Sequence, residues 1–168
     1  MTKNDDSMVA GLGFLAGLFL AAPKEQDRQD IQYGRECRER NALLNHLKLN
    51  GSVPRMTNEH IREAASLFIR GFFRSACIMS AIAVEIALKE KYQIINGIKK
   101  AAPESFKELT DWAEQEGILL RGDTSFIDGV RKLRNAYVHP ESLNVTIQDA
   151  QLMFNVALRV INHLYPDS

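Results

Sequence analysis

Residues Ala76–Leu88 read ACIMSAIAVEIAL, a run in which Ser80 and Glu85 are the only polar positions. An apolar surface that extends round most of a helix must be covered by other elements on several sides. No segment of the chain shows sustained two-residue alternation flanked by hairpin turns, so a strand reading has no partner to pair with. The run is therefore the middle of a central helix from Arg74 to about Asn96, and the rest of the sequence has to supply the helices that wrap it.

It does so in order. Ile61, Ala64, Ala65, Phe68 and Phe72 recur at helical spacing before the central helix, opened by Thr57 or Asn58 as N-cap and relaxed at Gly71. After Pro103, Phe106, Leu109, Trp112 and Ala113 share one face and Gly117 stops the helix. The next helix begins around Asp123 to Ser125 and carries Phe126, Ile127, Val130, Leu133 and Ala136 inward until Pro140. The last opens at Thr146, whose spacing to Asp149 predicts a capping box, and runs through Ala150, Phe154, Ala157, Leu158, Ile161 and Leu164. The expected fold class is all-α, a bundle of four to five helices over residues 53–168.

Two segments precede the bundle. Residues 24–52 begin as a highly charged, solvated helix that becomes amphipathic towards its end and breaks at Asn50-Gly51-Ser52-Val53-Pro54. Residues 1–23 contain Met8–Ala22, an uncharged apolar stretch of about 22 Å if helical, short of the ~30 Å hydrocarbon core. It reads as an apolar arm or as a membrane-associated segment, with Gly13 and Gly17 as a close-packing pair. A signal peptide fits less well, because Asp5 and Asp6 offset Lys3 and bulky residues occupy the cleavage region.

The 21 Lys and Arg residues balance 21 Asp and Glu residues, so no global basic field draws the chain onto nucleic acid, and any polyanion site must be local. Cys37 and Cys77 have neither a CxxC pattern nor a paired histidine. They read as free thiols in a reducing, cytoplasmic compartment, with membrane association through Met8–Ala22 as the addition to that location. His46, His60 and His163 lack metal-ligand spacing and read as surface or structural; no metal site and no cofactor is expected.

The local polyanion site is VRKLRNAYVHP, Val130–Pro140. With Leu133 and Ala136 towards the core, Arg131, Lys132, Arg134 and Asn135 distribute around the outer side. Arg134 and His139 would stand about 140° apart on a regular helix. Pro140 disfavours the helical conformation at His139, which lets the imidazole swing back towards Arg134 and Asn135.

Arg134-Asn135-Ala136-Tyr137-Val138-His139 resembles the RxxxxH signature of the HEPN superfamily. The upstream Phe72-Phe73-Arg74-Ser75-Ala76 and the helix containing Val84-Glu85-Ile86-Ala87-Leu88-Lys89 are similar to that family's long central helix, so the resemblance covers approximately Thr57 to Tyr165. It implies a HEPN-like bundle and a metal-independent endoribonuclease, a toxin or defence effector, in which two copies of the motif face each other across a symmetric homodimer. It also leaves room for an antitoxin or regulatory partner, and for non-catalytic HEPN-like modules that sense or scaffold.

The residue chemistry is compatible with RNA cleavage. RNA carries its own nucleophile, the 2′-hydroxyl, so the protein must move protons and steady charge on the phosphoryl oxygens. His139 can do the first near neutral pH and Arg134 the second through bidentate hydrogen bonds. Asn135 could hold the imidazole or donate to phosphate. Arg131, Lys132 and Arg74 add phosphate attraction, and Tyr137 could stack on a base. Each has a structural alternative: a solvated helix face for Arg131 and Lys132, core packing for Tyr137, and a helix-end cap for His139. Glu85 stands alone in an apolar run and calls for a cation, with Arg134 and Arg74 as candidates.

Overall fold

The computed structural model describes residues 24–97, 101–138 and 144–167. The chain divides into two compact units, residues 1–36 and 37–168. Among the described residues there are six helices and no strand: α1 (Glu25–Leu44), α2 (Arg55–Ile69), α3 (Phe73–Asn96), α4 (Phe106–Gln115), α5 (Arg121–Val138) and α6 (Ile147–Leu164). The all-α architecture is as the apolar spacing predicts. Met8–Ala22, the candidate membrane segment, lies outside the described residues, as do His139 and Pro140. No described helix is long and apolar enough to cross a membrane.

In the first unit the start of α1 is held by local polar pairs, Gln26 to Asp30 and Gln32 to Glu36, each one turn apart. This is how a helix with no apolar stripe sustains itself in water.

In the second unit α3 is the hub and packs against α2, α4, α5 and α6. Ala76, Cys77, Ala81, Ala83, Val84, Ala87 and Leu88 are all buried along it. Its small residues let neighbouring helices approach closely, and Phe68, Leu109, Ile127, Ile161 and Leu164 fill the layers between them. Polar caps set the helix starts. Ser105 Oγ accepts from the Glu108 N–H while Glu108 accepts from the Ser105 N–H, and Thr146 and Asp149 make the same reciprocal pair at α6.

Two sequence expectations are corrected. Thr57 does not cap α2, which starts at Arg55; its N–H and Oγ1 both donate to Glu90 Oε2 on α3, at 3.2 and 2.6 Å. A carboxylate from the hub thus caps α2 from across the interface. In α5 the inward stripe is Asp123, Ile127, Val130 and Tyr137, whereas Phe126 and Leu133 are 43% and 41% exposed. The helix is rotated from the expected setting because apolar residues occupy two adjacent strips and only one meets α3.

The break at Asn50–Pro54 is also an attachment. Asn50 N–H donates to Asn162 Oδ1 (2.9 Å), Asn50 Nδ2 to the Tyr165 carbonyl (2.9 Å), and Ser52 Oγ to the same carbonyl (2.8 Å). Asn162 Nδ2 returns a bond to the Lys48 carbonyl (2.8 Å). Leu44 is buried in the core, and Leu47 and Leu49 pack against it.

Candidate functional site

The rotation of α5 decides the position of Arg134. It falls in register with Val130 and Tyr137, so its side chain runs along the α3–α5 seam instead of the outer side expected from the sequence. There Nη1 lies 3.4 Å from Glu85 Oε2, with Arg134 33% and Glu85 15% exposed. Lys89, one turn further along α3, puts Nζ 2.7 Å from the other Glu85 oxygen. A half-buried carboxylate is thereby held between two cations, one from its own helix and one from α5. Arg134 meets Glu85 through Nη1 alone in this pair and is one-third exposed, and a guanidinium fork is suited to an anion.

Arg74 does not share this pair. It lies eleven residues before Glu85, about 16 Å along the axis and on nearly the same face. It lines an open cavity of about 500 Å³ with Gly71, Phe72, Phe73, Ser75, Asn144 and Val145.

Asn135 is exposed beside Arg134. Arg131 and Lys132 are bound to one carboxylate: Arg131 Nη2 lies 2.7 Å and Lys132 Nζ 2.9 Å from the two oxygens of Asp128. The same hydrogen bonds hold the Asp128 carboxyl below its ordinary range. The Asp128–Lys132 segment therefore offers a phosphate one net positive charge. Tyr137 is 5% exposed and packs in the core, so the base-stacking role is corrected to packing. Burial raises its phenol pKa, with the charges of Cys77 and Asp149 adding to the effect. Among the described residues no group of three or more His, Cys, Asp and Glu side chains could hold a metal ion.

Sequence reasoning missed a second ion cluster. Asp123, at the start of α5, is 2% exposed; its Oδ2 lies 2.6 Å from His163 Nδ1, and Arg159 Nε lies 3.9 Å from Oδ1. Despite that distance, Asp123 Oδ2 is buried with no partner in hydrogen-bonding geometry among the described residues, so the two side chains are in close contact without a directed hydrogen bond. The signal available was Asp123 leading an apolar helix, which looks like an ordinary first-turn acid. Lys89 was missed too, although Glu85-to-Lys89 is a favourable one-turn spacing.

Residues 62–167, from the middle of α2 to beyond α6, match the family described as a domain of unknown function (DUF4145). Arg74, Glu85, Arg134 and His139 all fall inside that span. No curated protein and no solved structure matches the chain.

Proposed function

We propose that this chain, which belongs to the DUF4145 family, is a metal-independent endoribonuclease of the HEPN type, acting as a toxin or defence effector under the control of an antitoxin or regulatory partner. The observation that carries the reading is the Arg134–Glu85 pair: the motif arginine is oriented by a carboxylate from the hub helix five residues before the motif histidine, His139. In the proposed reaction His139 takes the proton of the 2′-hydroxyl as that oxygen attacks the adjacent phosphorus. Arg134 stabilises the charge on the non-bridging oxygens, and the protonated imidazole of the second copy's motif gives its proton to the departing 5′-oxygen, leaving a 2′,3′-cyclic phosphate and a 5′-hydroxyl. Asn135, exposed beside Arg134, donates to the phosphate or to the imidazole.

The active form in this reading is a homodimer. Phe126 and Leu133 on α5 and Leu152 on α6 are exposed around an apolar groove of about 220 Å³ that also includes Gly129 and Val156. A second copy pairing through α5 covers this strip and brings two motifs into one site.

A second reading, a non-catalytic dimeric sensing or scaffold module, is favoured by the engagement of Arg131 and Lys132 with Asp128, which leaves that segment one net positive charge. Cleavage separates the two. Purified protein should cut unmodified RNA in the presence of EDTA, leave 2′-O-methyl RNA and DNA intact, and lose about 10²–10⁴-fold in rate in His139→Ala and Arg134→Ala. Intact tRNA and mRNA after incubation with the wild-type dimer would replace the nuclease with the module.

A further inference from the structure

The turn between α2 and α3 holds an exposed aromatic ring on an unusually fixed backbone. Gly71 has φ +86°, the left-handed conformation that favours glycine. Its N–H donates to the Phe68 carbonyl and the Phe72 N–H to the Leu67 carbonyl, the paired bonds of a Schellman ending. Phe72 is then the N-cap of α3, and its carbonyl accepts from the Ala76 N–H at 2.9 Å. One residue closes one helix and opens the next, with both backbone groups committed.

The choice of side chain there is costly to the fold. An N-cap position favours Ser, Thr, Asp or Asn, whose oxygen satisfies a first-turn N–H. Phe72 makes no side-chain cap, so the longest helix among the described residues begins without one. The ring is only half covered: Phe72 is 52% exposed, while its neighbour Phe73, half-buried, faces the buried Phe68 at 5.8 Å.

Cations gather on this turn. The Arg70 guanidinium lies 5.5 Å from the Phe72 ring centre, and that of Arg40 lies 6.0 Å from Phe73 with its Nε donating to the Ile69 carbonyl. Arg74 follows in the first turn of α3. Phe72 and Arg74 line the cavity of about 500 Å³, a size that accommodates a nucleotide. Exposed aromatic surface interleaved with arginines along a groove is the chemistry that receives single-stranded nucleic acid, with bases on rings and phosphates on cations.

We infer that the Arg70–Ser75 turn and its cavity bind one nucleotide of a single-stranded RNA, the base stacked on Phe72 and its phosphate held by Arg70 and Arg74. The inference rests on the reading of RNA as substrate and gives the strand a second point of attachment, on the face of α3 that leads to Glu85 and Arg134.

The test uses the full-length protein and a fluorescent ten-nucleotide 2′-O-methyl oligouridylate, which cannot be cleaved through its 2′ position. Fluorescence anisotropy should show Phe72→Ala and Phe72→Leu weakening binding by about 5- to 150-fold. Arg70→Gln should reduce the slope of log affinity against log salt by about 0.7. Ile94→Ala, at another exposed apolar position of α3, should bind as wild type. Melting curves on each variant establish that the fold is retained. Equal affinity of wild type and both Phe72 variants would overturn the site, and so would displacement of the oligonucleotide by uridine monophosphate at equimolar concentration, which would assign the cavity to a free nucleotide. The nuclease reading is scored separately: unmodified RNA left intact by the wild type, with the Phe72 effect present, removes cleavage and keeps this site.

Discussion

Arg134 on α5 reaches across the α3–α5 seam to Glu85, Nη1 to Oε2 at 3.4 Å, and Lys89 occupies the carboxylate's other oxygen at 2.7 Å. The arrangement is asymmetric in consequence. Removing Arg134 leaves Glu85 paired with Lys89, whereas removing Glu85 leaves Arg134 without the contact that aims it.

In the proposed nuclease, Arg134→Ala should therefore lose RNA cleavage with little change in melting temperature, and Glu85→Gln should slow cleavage roughly 10–100-fold through misplacement of the guanidinium. The Arg134→Ala, Lys89→Ala double variant strands a half-buried carboxylate and should cost about 1–3 kcal/mol. Thermal melts beside rate measurements check all three; a Glu85→Gln enzyme with wild-type kinetics would make the pair purely structural.

Much of this fold was legible because its helices carry explicit ends. Gly117 (φ +69°) and the Thr146–Asp149 box mark limits that local chemistry alone determines. The rotation of α5 was not legible: Phe126 and Leu133 fit helical periodicity as well as Ile127, Val130 and Tyr137 do, and docking on α3 selects between the strips. The outer-side placing of Arg134 fails for the same reason, although the lone carboxylate of Glu85 in its apolar run already points to Arg134 or Arg74 as its cation, and the structure pairs it with Arg134. Phe72 was read as one more apolar position of its helix, because the Schellman turn that expels it depends on three-dimensional hydrogen bonds.

The exposed strip on α5 predicts the mode of association. Leu133→Asp places a charge in the apolar groove without disturbing the core and should convert the proposed dimer to a monomer in light scattering at micromolar concentration, with the proposed cleavage falling in parallel. Wild-type protein that is already monomeric under these conditions would remove the composite-site argument.

The Lys48–Ser52 clasp predicts that the bundle needs residues upstream of Val53. A chain beginning at Val53 loses Leu44, Leu47, Leu49 and the Asn50 bonds to Asn162 and Tyr165, and should melt well below the full chain. Asn162→Ala, which removes the side-chain bonds to the Asn50 N–H and the Lys48 carbonyl but keeps the backbone carbonyl that accepts from Asn50 Nδ2, should cost about 1–2 kcal/mol. An unchanged melting temperature in the truncated chain would show the clasp to be incidental.

Alkaline pH should destabilise the protein. Burial pushes the Cys77 thiol from 9.0 up to about 12, and raises the phenols of Tyr137 and Tyr165 above 10.0. Above about pH 9 the unfolded chain gives up these protons while the folded chain keeps them, so the native state binds more protons and stability falls as pH rises. Melting temperatures from pH 8 to 11 should decline, and Tyr137→Phe should flatten the decline. A flat profile for the wild type would mean the three groups ionise without unfolding.

The last prediction concerns Asp123, a 2% exposed carboxylate that ties the start of α5 to the end of α6 through His163 at 2.6 Å. Arg159, at 3.9 Å and stacked 5.2 Å from the Phe126 ring, is too distant to satisfy it alone. His163→Ala should then cost about 1–3 kcal/mol, discounted from a fully buried pair because the imidazole is partly exposed. Asp123→Asn keeps the side-chain shape and an acceptor oxygen beside the imidazole, and the loss should be smaller than in Asp123→Ala. If the two side chains act as a unit, the double alanine variant costs less than the sum of the single variants, by about 0.5–3 kcal/mol. Urea denaturation of the four proteins completes the cycle. Strict additivity would mean that Asp123 is satisfied by its own helix terminus and that His163 is an adjacent surface residue.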